Sequence, residues 1–155
     1  MNFLENHVRK VARALHEHQI ARLYKIPNDI KIVDNQLHYA ERTPVDFMGF
    51  TITGRVIMLE CKMCKAASLG LNASGLKAHQ LIAITEAHKT GGMGLLAWQK
   101  MQTIAVIDAG QVVAYSRDKG RKSIAWKDIP SLYKHSIQED PVRLLFPFVP
   151  IPVPC

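Results

Sequence analysis

Cysteine is scarce in this chain: three residues, at 61, 64 and 155, in a length of 155. An odd number without even spacing builds no disulfide framework and suits a reducing compartment. Long apolar runs are absent as well, and none approaches the roughly 20 residues needed to span a bilayer. The start, Met1-Asn2-Phe3-Leu4-Glu5, lacks the charged-then-apolar layout of a secretory signal. Secretion and membrane insertion are therefore not expected. Acids are the other shortage, 13 against 20 Lys and Arg, which leaves a net charge of +7 with His neutral. A surplus of that size on a small chain favours a polyanionic partner, nucleic acid being the commonest. The plainer alternative is a merely basic, soluble surface.

What is present is enough for one core. With 48% apolar residues, a chain of this size buries roughly 70% of the surface it would expose unfolded. The expected organisation is a single domain over residues 1–146. An extended tail follows over 147–155, where Pro147, Pro150, Pro152 and Pro154 exclude helix and central strand. Cys61-Lys62-Met63-Cys64 spells CxxC without a second pair. A structural zinc needs four ligands, so packing is the favoured reading of these cysteines.

Leu4, Val8, Val11 and Leu15 recur at helical spacing, which predicts an amphipathic helix over 3–18, with Asn2 as cap and Glu5 completing a capping box. Ile20–Ile26 reads as a strand stopped by Pro27, whereas residues 28–42 are mixed and polar and give no clear element. Val45–Ile52 and Arg55–Met63 are strand-like runs across Thr53-Gly54, a hairpin signature. Ser74 is the expected cap of a helix reaching Lys89 and ended by Gly91-Gly92. Leu95–Trp98 and Thr103–Ile107 are two further strands, and Gln111–Tyr115 is expected to pair with the second across Asp108-Ala109-Gly110. The sum is an α/β chain with a small mixed sheet at its centre.

The hairpin brings Asp46, near the start of one strand, beside Glu60 and Lys62, near the end of the next. Strand alternation puts Glu60 and Lys62 on one face, roughly 7 Å apart at the Cα atoms, and turns Cys61 to the other. Two carboxylates with a backbone carbonyl between them form an oxygen cage suited to Mg²⁺. An ammonium beside it can neutralise charge building on a phosphate. An acid two residues before a lysine is weak evidence alone, and Asp29-Ile30-Lys31 repeats the triplet. A cross-strand salt bridge is the plain alternative for Asp46, Glu60 and Lys62.

Thr43–Gly49, Gly54–Lys62 and Leu76-Lys77-Ala78-His79-Gln80 together resemble the RecU-type Holliday-junction resolvases, within the broad PD-(D/E)xK nuclease superfamily. Glu5-Asn6 and Lys25-Ile26-Pro27 are similar in position, and the likeness is densest over residues 43–80. The resemblance implies an α/β fold with a restriction-endonuclease-like core, a central mixed β-sheet flanked by helices. It also implies a homodimeric, Mg²⁺-dependent endonuclease, with Mn²⁺ as a substitute, that cuts branched DNA during recombination and repair. Residue by residue, Asp46, Glu60 and the Cys61 carbonyl would bind the metal, with Glu5 as a further ligand. Lys62 would support the transition state, and Gln80 would orient a water or a phosphate from its helix. The expected setting is the cytoplasm of a bacterial cell or of a phage-infected host.

Two departures from the family pattern stand out. Residues 28–42 leave room for only a short version of its stalk-like excursion, and Thr-Pro-Val precedes Asp46 in place of consecutive small hydroxyl residues. Arg9, Lys10, Arg13, Lys25, Lys65, Lys77, Arg117, Lys119, Arg121 and Lys122 form the candidate DNA track. Trp98 and Trp126 read as core anchors. Three functions are carried forward in order: a junction-resolving endonuclease, a nuclease for flaps, forks or duplex, and a non-catalytic DNA-binding module.

Overall fold

The computed structural model describes residues 2–27, 30–33, 36–39, 43–117, 122–145 and 148–149. Helix α1, Phe3–Glu17, begins where Asn2 Oδ1 accepts the Glu5 N–H at 2.9 Å and Asn2 Nδ2 donates to Glu5 Oε1 at 3.1 Å. Asn2 is thus the expected cap, but Glu5 returns its contact to the Asn2 side-chain amide in place of the backbone N–H of a full capping box. The stripe Leu4, Val8, Val11 and Leu15 is fully buried. Strand β1, Ala21–Lys25, follows. The segment that gave no clear element contains a small antiparallel pair, β2 (Ile30–Val33) and β3 (Gln36–Tyr39), with Ile30 opposite Tyr39.

Strands β4 (Phe47–Thr51) and β5 (Val56–Met63) form the expected hairpin, with Phe47 opposite Leu59. A three-residue strand, β6 (Ser68–Gly70), leads towards α2, Ala78–Lys89. The helix starts later than expected. Ser74 does not cap it, because its N–H and hydroxyl both turn back to Asn72 Oδ1, and Lys77 occupies the cap position. Thr90 and the positive-φ Gly91 end the helix.

Strands β7 (Met93–Lys100) and β8 (Thr103–Asp108) form the next hairpin. Residues expected as the strand Gln111–Tyr115 instead form α3, Ala109–Arg117. Asp108 Oδ1 accepts the Gln111 N–H at 2.8 Å and Gln111 Oε1 accepts the Asp108 N–H at 2.9 Å. The Asp-x-x-Gln spacing is thus a capping box that starts a helix, and the β-branched Val112-Val113 pair does not outweigh it. Two short strands close the fold, β9 (Ser123–Ala125) against β6 and β10 (Lys134–Ser136) against β8.

The main sheet has the order β1-β4-β5-β7-β8-β10, parallel only between β5 and β7. Alternation along the strands sorts the core into two layers. Phe47, Leu59, Cys61, Leu95 and Ala97 pack under α1. Leu96, Trp98, Ala105 and Ile107 pack under α2 and α3. At the chain's end Val149 is buried in the α1 layer and Phe148 stacks on Tyr133 at 5.7 Å. The rest of the proline-rich tail lies outside the described residues.

Candidate active site

The centre of interest lies where β4 begins and β5 ends. Ile26 N–H donates to the Asp46 carbonyl at 2.8 Å, which extends the β1–β4 pairing and fixes the backbone there. The Asp46 side chain reaches across the hairpin. Its Oδ2 accepts the Cys61 N–H at 2.9 Å and its Oδ1 accepts from Lys25 Nζ at 3.2 Å. Lys25 in turn lies 3.5 Å from Glu5 Oε2. Glu5 therefore serves the cap of α1 with one oxygen and the site with the other.

Glu60 projects to the α2 side. Its Oε1 takes the Lys62 ammonium at 2.9 Å and the Gln80 Nε2 at 2.6 Å. Gln80 also accepts the Lys77 N–H at 3.0 Å with its Oε1, so the first turn of α2 locks its orientation. Glu60 is almost wholly buried, and its Oε2 has no hydrogen-bond partner. Burial first, and the Asp46 charge second, push its carboxyl up from 4.5 to about 7, against the opposing pull of Lys62.

A buried carboxylate oxygen without a donor, next to a second carboxylate, fits a cation. The oxygens available are those of Asp46 and Glu60, with the Cys61 carbonyl on the strand between them and Glu5 held to Asp46 through Lys25. Among the described residues no group of three His, Cys, Asp or Glu side chains is arranged as a ready cation cage. Cys61 contributes no side chain to this face. Its thiol is buried in the α1 layer and pushed well up by that burial and by the nearby carboxylates. A thiol in that state is neither a good nucleophile nor a ready metal ligand, which agrees with the packing reading of CxxC.

Asp46, Glu60, Lys62 and Gln80 are brought together as the sequence leads one to expect, and Glu5 joins them. Lys25 belongs here too, its ammonium engaged by two carboxylates rather than turned to solvent. That link was hidden in the sequence, because it depends on α1 and β1 meeting at their ends. Lys65 and Lys77 are exposed near the site. Arg9, Lys10 and Arg13 are exposed on α1, which covers the sheet face opposite Glu60 and Lys62. Lys122 is exposed beside β9. The Arg117 side chain, Lys119 and Arg121 lie outside the described residues. Trp98 is a buried core anchor as expected, whereas Trp126 is only half-buried.

The family described as RecU, Recombination protein U, matches residues 2–147. The chain belongs to the RecU family. The resemblance to RecU-type Holliday-junction resolvases therefore extends beyond the short motifs to nearly the whole sequence, and the family is one of nucleases. Among solved structures, the chain is similar to Archaeoglobus fulgidus Hjc, a Holliday junction resolvase from an archaeal hyperthermophile. Identity is 13%, the TM-score is 0.52, and the match covers 81% of this chain and 90% of that one. At that identity the likeness speaks to the fold. The fold of this RecU-family chain is α/β and restriction-endonuclease-like, as expected. Comparison with curated proteins finds no match.

Proposed function

We propose that the chain is a homodimeric, divalent-metal-dependent DNA endonuclease that resolves four-way junctions by paired nicks. The observation that carries this reading is the buried Glu60 carboxylate, donor-less at Oε2 and flanked by Asp46, Lys62 and Gln80. The Lys62 ion pair alone leaves the buried Oε2 without a geometric partner, which a cation would supply. RecU-family membership supports branched DNA as the substrate and the cytoplasm as the setting.

Asp46, Glu60 and the Cys61 carbonyl would hold the cation, Mg²⁺ or Mn²⁺, with Glu5 as a further ligand. When bound, the ion supplies Lewis-acid polarisation of the phosphate and lowers the pKa of water. The protein's own groups do the rest. The Lys62 ammonium neutralises charge that develops on the phosphate oxygens. Gln80 holds Glu60 in one orientation, and the Cys61 N–H does the same for Asp46. Lys25 balances the Asp46 and Glu5 carboxylates, so that the three acids can share a small volume. Two such sites related by a two-fold axis make symmetric nicks on a symmetric junction.

The shortness of the β2–β3 pair, four residues a strand, favours a second reading, a nuclease for flaps, forks or ordinary duplex. Labelled four-way junction, flap and linear duplex of matched arms, each with Mg²⁺ or EDTA, separate the readings. Paired nicks confined to the junction and abolished by EDTA are expected. Equal cutting of all three substrates favours the broader nuclease. Binding without cutting in Mg²⁺ or Mn²⁺ contradicts both and leaves a DNA-binding module.

A further inference from the structure

A second polar cluster lies on the same face of the sheet as Glu60 and Lys62, three strands away. Strand register lines up Lys62 on β5 with Trp98 on β7, Trp98 with Ala105 on β8, and Ala105 with Lys134 on β10. Residues directly opposite each other point to one face, so Lys62, Trp98, Ala105 and Lys134 form a single lateral row. Three inter-strand steps give it a length of roughly 14 Å at the Cα atoms. Lys100, two residues beyond Trp98, points the same way.

Above this row sits Trp126. Its N–H donates to the Ala67 carbonyl at 2.9 Å, directly after the β6–β9 pairing, so the backbone is pinned. Its ring meets the buried Trp98 edge-on, with centroids 4.9 Å apart. Onto that one ring converge two ammoniums, Lys134 Nζ at 5.0 Å and Lys100 Nζ at 5.9 Å from the centroid. Among the described residues neither is in an ion pair with a carboxylate. Two ammoniums beside a single indole, neither neutralised by a carboxylate, concentrate positive charge that an anion would offset.

We infer that Lys100 and Lys134, held over Trp126, form a binding site for the DNA sugar-phosphate backbone a few nucleotides from the bond to be cut. This rests on the nuclease reading, because the row begins at Lys62, where the reacting phosphate would lie. Trp98 and Ala105 in the middle of the row are buried, so the cluster grips the strand as it passes outside the layer that covers them, and so sets the register of the scissile phosphate over Glu60 and Lys62. A lysine is suited to the role as a point charge, since a backbone contact needs no base-specific fork. Trp126 holds each ammonium within about 6 Å of its ring centroid, and Trp98, edge-on to it, keeps the indole in place. The spacing of these residues in sequence, 98, 100, 126 and 134, hides the site from any linear charge-run reading.

The test is binding of fluorescently labelled junction DNA across a salt series, in EDTA so that nothing is cut. Three variants run with the wild type. Lys100→Ala with Lys134→Ala removes the site. Lys100→Arg with Lys134→Arg keeps the charge. Lys89→Glu, at the exposed far end of α2, changes net charge by the same two units elsewhere. The alanine pair is expected to lose about ten-fold or more in affinity and to lower the slope of log K against log salt by roughly two, near 0.9 for each phosphate contact. The arginine pair should bind like wild type, and Lys89→Glu should lose far less. Thermal melts check folding, and a glutamine pair replaces the alanine pair should that one not fold. Equal affinity and slope in the neutral pair and the wild type overturn the site, as does an equal loss in Lys89→Glu. A wild type that binds no DNA under any salt overturns the nuclease reading along with it, so the two failures are distinguishable.

Discussion

Glu60 shows how much a single side chain can reveal. Its carboxyl is raised from 4.5 to about 7 by burial and by Asp46. Between those two values the folded chain holds a proton that the unfolded chain has already lost. Stability of the metal-free protein therefore falls as pH rises from about 4.5 to about 7 and is level above it, as far as this group decides. The shift corresponds to about 3 kcal/mol at most. Glu60→Gln carries no such charge. In EDTA its thermal midpoint should exceed that of wild type by several degrees at pH 8, with little difference at pH 4.5. Equal midpoints at both pH values would contradict the assigned environment. Asp46, Glu60 and Lys62 were legible at the residue scale because strand alternation and a hairpin turn fix their neighbours. Gln80 was legible only through the family likeness, since nothing local tells a helix glutamine facing water from one facing Glu60. Lys25 reads in the sequence only as a candidate phosphate contact, and the meeting of α1 with β1 adds its two carboxylates.

Elements were legible where their pattern was long. The helix over Phe3–Glu17 carries a long helical period, and β4, β5, β7 and β8 each contain a largely apolar run of four or more residues. The three-residue strands β6, β9 and β10 carry too few residues to show a period, and their pairing depends on distant partners. Helix α3 carries a strand-like pattern, because Val112-Val113 and an Asp-Ala-Gly turn signal mask the Asp108–Gln111 box. If that box starts the helix, Asp108→Ala should cost about 1 kcal/mol in denaturant unfolding, the usual loss for an N-cap. Denaturation equal to wild type would contradict the box. Helix α2 is the element that sets the site, since it carries Gln80. It lies so close to β7 that a Cβ at Gly94 would run into the Ile84 backbone carbonyl. Gly94→Ala should therefore destabilise the chain by about 1–3 kcal/mol, as overpacking does. It should also slow cutting beyond what lost stability explains, because α2 must shift with Gln80. A variant as stable and as fast as wild type would contradict this packing.

For the whole molecule, charge and shape divide the surface. The net charge of +7 makes two copies repel over most of their surface, yet Tyr24, Phe50, Ile52 and Val56 leave apolar side chains exposed on β1, β4 and β5 and beside them. The homodimer proposed for paired nicking should be visible in sedimentation as twice the 17.4 kDa chain mass. A monomer at all concentrations that support cutting would contradict it. Among the described residues no helix is long and apolar enough to cross a membrane. The α/β class and the mixed sheet were legible from the order of patterns, but strand order was not, because a sequence does not state which strands lie at the edges.

The central claim is that Asp46 and Glu60 form the centre at which DNA is cut. It is tested most directly by the single-turnover rate of junction cleavage in Mg²⁺ for wild type and Asp46→Ala, with junction binding measured alongside. A rate lower by about 10²- to 10³-fold is predicted, the order of loss seen when one group supporting transition-state charge is removed, with binding changed only a few-fold. Undiminished cleavage by Asp46→Ala would contradict it.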